Sequence, residues 1–226
     1  MNISTGHEYY IQNTNIQNTN LYTIKLKRPN RSLLLSLVKT GILLGGTISD
    51  NYQSITFNAE SVNSLVNSKT KYKNNYEISM KILYYLSNQF KYLIEKSRKI
   101  FFQLKPENII IIDNGKKFIY ISNEDLIDIS DEGIIVIDKP FTKNKYDSPE
   151  IHKLTSIPSV NIHYKAIYYS LGMFILSLFL DDIYNTNETN EINEINEINK
   201  IKGTKLFYAL DRCLKKEPKL RTLLFV

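Results

Sequence analysis

An α+β fold is predicted by three stretches of the sequence. Between Leu21 and Lys27, Tyr22, Ile24 and Leu26 alternate with Thr23, Lys25 and Lys27, the period of two of a strand with one apolar face. From Glu77 to Ser97, Ile78, Ile82, Tyr85, Leu86, Phe90, Leu93 and Ile94 recur at spacings of three and four, which predicts a long amphipathic helix. Ala166 to Leu180 is apolar all round but only about 15 residues long, short of the ~20 that span a bilayer, so it reads as a buried core helix and no membrane partner is expected.

The remaining elements follow in order. Residues 1–20 are polar and Asn-rich, with IQNTN at 11–15 and again at 16–20, and read as a weakly ordered start. After the strand ending at Pro29, SLLLSLVKT at 32–40 suits a short buried helix that stops before Gly41. ILLGGTISD and YQSITF then read as two strands joined by Asp50 and Asn51. Beyond the long helix, KIFFQLKPENIIIIDNGKKFIYIS reads as a loop holding Pro106, a strand of isoleucines, an Asp-Asn-Gly turn and a returning strand. LIDIS and IIVI read as a further strand pair around Asp131-Glu132-Gly133. Residues 185–200 repeat Glu-Ile-Asn and read as a low-complexity surface insertion, and LFYALDRCL as an amphipathic helix ended by Pro218.

Composition narrows the function. At 226 residues with 42% hydrophobic and 23% charged, the chain has the make-up of a folded globular protein, which excludes a largely disordered or collagen-like one. A single cysteine, Cys213, excludes an internal disulfide, no Cys/His cluster has zinc spacing, and an intracellular, reducing compartment is expected. The start, MNISTGHEYYIQ, lacks a basic region followed by an apolar run, so secretion is not expected. The charge of +6 comes from lysines spread along the chain without an Arg-rich stripe, so nucleic acid is not the expected partner. His7, His152 and His163 have no partner at ligand spacing, Asp181 and Asp182 read as solvating a helix end, and Cys213 as a small buried residue.

One ordered constellation is more specific than its parts: a long helix, Leu104-Lys105-Pro106-Glu107-Asn108 before a hairpin, Tyr146-Asp147-Ser148-Pro149-Glu150, Ser170-Leu171-Gly172 inside a buried helix, and a late Arg221. Together these resemble the C-terminal lobe of eukaryotic protein kinases, whose catalytic loop reads His-Arg-Asp-Leu-Lys-Pro-Glu-Asn. The resemblance implies a protein-kinase-like fold over about residues 21–226, with a reduced β-rich first lobe at 21–58 and a mainly helical second one at 59–226, an interlobe hinge near Phe57–Ala59, and an ion pair between Glu150 and Arg221. It offers Lys25, Lys105 and Asn108 as nucleotide-binding residues and Asn108 and Asn123 as metal-binding ones. Five residues follow Arg221, so it also implies that the family's last helix has no counterpart and that an apolar face is open to a partner.

Against that pattern the reactive positions differ. Residues 1–24 contain one glycine, Gly6, and no G-x-G-x-x-G, and the 32–40 helix carries no carboxylate to hold Lys25. The catalytic-base position is Gln103, whose amide is no base near neutral pH. Where the family keeps a metal-binding Asp stands Asn123; Asp131-Glu132-Gly133 looks like that motif but lies about eight residues too far along and reads as a turn. Phe101, Phe102 and Ile167 stand where a polar network would be, an exchange of hydrogen bonds for apolar packing. The resemblance therefore implies a catalytically impaired pseudokinase that binds another protein, with no catalytic residue and no resident cofactor; ATP and Mg²⁺ enter only where nucleotide binding is retained. Two alternatives stay open at this level: an active atypical serine/threonine kinase using Lys25, Asn108 and a displaced acid such as Asp131, and a basic nucleic-acid-associated module.

Overall fold

Alternation of side chains decides the first part of the fold. The computed structural model describes residues 2–5, 8–14, 20–66, 72, 75–154, 159–179 and 201–223. Strands β1 (Asn2–Thr5), β2 (Tyr9–Asn13), β3 (Leu21–Leu26), β4 (Thr47–Ile48) and β5 (Ser54–Asn58) form an antiparallel sheet in the order β1-β2-β3-β5-β4. In its register Ile11 faces Ile24 and Ile24 faces Ile55, a row at 0% exposure. One residue along, Tyr10, Lys25 and Ser54 form a half-buried row on the opposite face. Helix α1 (Arg31–Lys39) is started by Asn30, whose Oδ1 accepts the Leu33 amide at 2.9 Å, and it buries Leu33, Leu34 and Leu37.

The polar start at 1–20 was expected to be weakly ordered; its described residues include β1 and β2. Tyr9 and Ile11 are buried, and pairing with β3 gives the backbone of this Asn-rich stretch its hydrogen bonds. ILLGGTISD was expected to be a strand. Gly41 and Gly45 take φ of +76° and +70°, which turns the chain and leaves only Thr47–Ile48 to pair.

The second part builds around α2 (Tyr76–Tyr92). Asn75 caps it by accepting the Ile78 amide at 3.0 Å, and Ile78, Ile82, Leu83, Leu86 and Phe90 line its buried face. The predicted helix to Ser97 continues as a π-helical turn over Leu93–Ser97, stopped by Arg98 at φ 52°. Strands β6 (Val62–Ser64), β8 (Ile109–Ile112) and β9 (Lys117–Tyr120) form a three-stranded antiparallel sheet in the order β6-β8-β9. Strand β7 (Lys99–Phe101) pairs with β10 (Leu126–Asp128), and β11 (Ile134–Ile137) with β12 (Val160–His163). LIDIS and IIVI therefore do not pair with each other as expected: the Ser130–Gly133 turn, with Gly133 at φ +76°, sends each to a different partner.

Among the described residues, helices α3 (Pro149–His152), α4 (Ala166–Phe179) and α5 (Lys205–Cys213) follow. A Cβ on Gly172 of α4 would meet Cys213 Cβ and Leu214 Cδ2 at 3.0 Å, so the missing side chain is what lets these segments approach. Cys213 is buried as expected, and burial pushes its thiol up to about 12. Among the described residues the architecture is mixed α+β with small antiparallel sheets. Among the described residues no helix is long and apolar enough to cross a membrane. The 185–200 repeat, Asp181, Asp182 and His7 lie outside the described residues.

Candidate functional site

The pairing of β7 with β10 brings two loops together. β7 runs into the Phe102–Asn108 loop and β9 runs through Ile121–Asp125 into β10, so the strand pair holds the two loops side by side. The Phe102 amide donates to the Asp125 carbonyl and the Ile121 amide to the Asn108 carbonyl, each at 3.0 Å. Across this seam Lys105 Nζ pairs with Asp125 at 2.9 Å, and the carboxylate is almost fully buried.

Tyr120 lies beneath the seam, with no exposure. Its hydroxyl accepts the Lys105 amide at 3.0 Å and donates to the Gln103 carbonyl at 3.2 Å, and burial pushes its ionisation well up. Phe101 packs edge-on to the Tyr120 ring at 4.7 Å, and Phe102 meets Phe141 at 5.4 Å. Ile167 is fully buried as well, so the positions Phe101, Phe102 and Ile167 are all part of the core.

Gln103 is fully buried, and its amide points toward Tyr146–Glu150. Nε2 donates to Asp147 Oδ2 at 2.8 Å and to the Thr142 carbonyl at 3.0 Å. Asp147 Oδ2 also accepts the Asn144 amide at 2.8 Å. Burial raises the Asp147 carboxyl above its ordinary value, partly opposed by these two hydrogen bonds.

Asn123, the residue offered as a metal ligand, has both ends of its amide engaged: Nδ2 donates to the Arg28 carbonyl at 3.1 Å, and Oδ1 accepts from Asn30 Nδ2. Its backbone amide donates to Glu8 Oε2, as does that of Glu124 at 2.6 Å. Glu8 is 8% exposed, and the adjacent Tyr9 hydroxyl donates to the Glu107 carbonyl at 3.3 Å. The face of the first sheet that carries Tyr9, Ile11 and Ile24 is thus turned toward the Lys105–Asn108 loop.

Lys25 lies on the other face, its Nζ 5.8 Å from the Tyr10 ring centre. Asp131 is an exposed turn residue paired with Arg98 at 3.1 Å. No hydrogen bond joins Lys25, Asn108 and Asp131. Lys105, Asn108 and Asn123 do share one neighbourhood; Lys25 does not belong to it.

Glu150 and Arg221 form a two-pronged ion pair. Nη1 donates to Oε1 and Nη2 to Oε2 at 3.0 Å, while Nε donates to the Lys215 carbonyl at 2.7 Å. The guanidinium is fully buried and sits 5.0 Å from the Tyr169 ring centre.

Sequence reasoning missed Glu8, Gln89, Tyr120, Asp125 and Asp147. Gln89 is buried in α2 and holds both Tyr120 backbone groups: Nε2 donates to the carbonyl at 2.8 Å and Oε1 accepts the amide at 2.9 Å. Its signal was a polar residue beside Phe90 inside an apolar helical stripe. Among the described residues no group of three or more His, Cys, Asp or Glu is placed to hold a metal ion. No protein-family model matches the chain, and no curated protein matches it.

Proposed function

We propose that this chain is a protein-kinase-like module that has lost phosphoryl transfer and acts by binding another protein. The observation that carries the reading is Gln103: the side chain at the position where a proton acceptor is needed is an amide, and its N–H groups are committed to Asp147 and Thr142. The order of elements supports the fold assignment. Among the described residues, a five-stranded sheet with a helix precedes a long helix, the loop with Leu104–Asn108, the β8–β9 hairpin, strands β10 and β11, Pro149–Glu150 and a buried helix with Gly172.

The residues present do not fit Mg²⁺·ATP. Asn123 has both ends of its amide hydrogen-bonded, Lys105 is neutralised by Asp125, and Lys25 is on the far face of its sheet. A scaffold that keeps its packing and spends its polar groups internally is suited to presenting a surface, and the helices of the second part are where this reading places the partner.

The test combines binding and chemistry. Thermal unfolding with ATP, with and without Mg²⁺, is expected to show no rise in melting temperature, because a ligand bound only by the folded form must raise it. Incubation with labelled ATP is expected to give no transfer to the chain or to a generic protein substrate. Transfer that disappears in Asn108→Ala overturns the reading in favour of an active atypical kinase.

A further inference from the structure

The Glu8 contact spans 115 residues of sequence and joins the first sheet to the turn after β9. Its geometry is that of a small oxyanion site. The consecutive amides of Asn123 and Glu124 converge on a single oxygen, Oε2, and Ser122 Oγ lies 3.2 Å from Oε1. Successive backbone N–H groups aimed at one point form a nest, a concavity that binds anions whatever their origin. Around it stand Lys105, paired with Asp125, and Lys139, which donates to the Glu124 carbonyl; the carboxylates of Glu124 and Asp125 oppose them. Glu8 is itself held in place, since its carbonyl accepts the Lys27 amide at 2.8 Å and Tyr9 beside it donates to Glu107.

We propose that the Asn123–Glu124 amide pair is a phosphate-type oxyanion site that the chain fills with its own Glu8 carboxylate, locking the first sheet onto the Lys105–Asn108 loop and excluding polyphosphates. The proposal rests on the kinase-like reading for the identity of the excluded ligand, a nucleoside triphosphate, and on the hydrogen bonds alone for the site. Two consequences follow from the chemistry. An incoming phosphate must displace a carboxylate that already has two amide donors, and it must do so beside the negative charge of Asp125 and Glu124. Removing Glu8 frees both amides and one negative charge together.

The experiment compares the intact chain with Glu8→Ala, using inorganic tripolyphosphate and ATP·Mg²⁺ as separate probes in thermal-shift titrations, with circular dichroism as the check on folding. The intact chain is expected to show no shift with either probe. Glu8→Ala is expected to bind tripolyphosphate at least about 10-fold more tightly, equivalent to about 1.4 kcal/mol. A further gain with ATP over tripolyphosphate would assign the site to a nucleotide; an equal response would assign it to phosphate alone. A folded Glu8→Ala that gains no binding overturns the proposal and leaves the proposed function standing. Phosphate transfer by Glu8→Ala does the reverse: the self-occupied site stands and the loss of catalysis falls. If Glu8→Ala does not fold, Glu8→Gln is used with residue-resolved amide exchange. Faster exchange at Asn123 and Glu124, by about 10-fold, supports the contact. Unchanged exchange at both amides refutes it.

Discussion

The Glu150–Arg221 pair allows a worked prediction, because both the geometry and the burial are extreme. Arg221 has 0% side-chain exposure and donates to two carboxylate oxygens and to the carbonyls of Lys215, Lys216 and Lys165, whereas Glu150 retains 20% exposure. Glu150→Gln keeps the shape, but it leaves a buried guanidinium facing an amide that has one acceptor and two donors. Hydrogen bonds to charged groups contribute roughly 1.5–3 kcal/mol each, and removing one member of a buried pair costs about 3–5 kcal/mol. Against a usual total of ~5–15 kcal/mol this is a large share of the fold's stability. In urea unfolding the midpoint should fall with an unchanged slope, and by heat the melting temperature should drop by about 6–20 °C for a chain of this size. Arg221→Lys keeps the charge, loses the fork and should also destabilise. Replacing both partners with apolar residues should recover only part of the loss, because three carbonyls lose their donor. A loss below about 1 kcal/mol for Glu150→Gln, the value of a surface pair, would refute the reasoning.

Three other outcomes are expected. Gly172→Val forces a side chain against Cys213 Cβ and Leu214 at 3.0 Å and should cost about 1–3 kcal/mol by chemical denaturation. Gln89→Leu leaves the Tyr120 amide and carbonyl unpaired in the core, about 1–3 kcal/mol for each group, and should speed hydrogen exchange at Tyr120 first. Burial raises Glu8 and Asp147 above their ordinary values of 4.5 and 3.8, so the folded form holds these protons more tightly than the unfolded one. Their contribution to stability is full below those ordinary values and is lost as pH rises through the raised ones. Asp147→Asn should flatten that fall in a pH series of urea midpoints; an unaltered slope would show that Asp147 is not the titrating group.

The legible parts of the sequence were those with a strong period or a rigid residue. The α2 stripe, the Asn114-Gly115 turn and the apolar α4 follow from side-chain spacing and backbone limits, which act over a few residues. The Tyr9–Asn13 strand escaped notice because its partner β3 lies beyond a polar Asn-rich stretch and its apolar side chains are few; only the sheet register shows that Ile11 continues the Ile24–Ile55 row and that Tyr9 pairs with Leu26. At the site, the resemblance put Lys105, Asn108 and Asn123 in one neighbourhood, and alternation in β3 put Lys25 opposite Tyr22, Ile24 and Leu26; alternation could not show that this apolar face is the one turned toward the Lys105–Asn108 loop. Glu8 and Asp147 were missed because their partners are 115 and 44 residues away in sequence, and nothing local marks a carboxylate that will be buried.

That same remoteness governs whether the reactive position could be restored. Gln103→Asp returns a carboxylate to the position, but Gln103 is held by Asp147 Oδ2 at 2.8 Å inside the core, with no exposure at Gln103 and 2% at Asp147. A donor would become an acceptor, and two carboxylates would share a dry site, so one must keep its proton or the loop must open. Gln103→Asp should therefore be less stable than the original chain, increasingly so as pH rises and the second proton is lost. It should gain no phosphate transfer, because Asn123 remains tied to Arg28 and Asn30. Adding Asp147→Asn should relieve the repulsion and return most of the lost stability. If Gln103→Asp alone is as stable as the original at pH 8 and labels a substrate from ATP, then the polar links around Gln103 are incidental and the scaffold is still an enzyme in waiting.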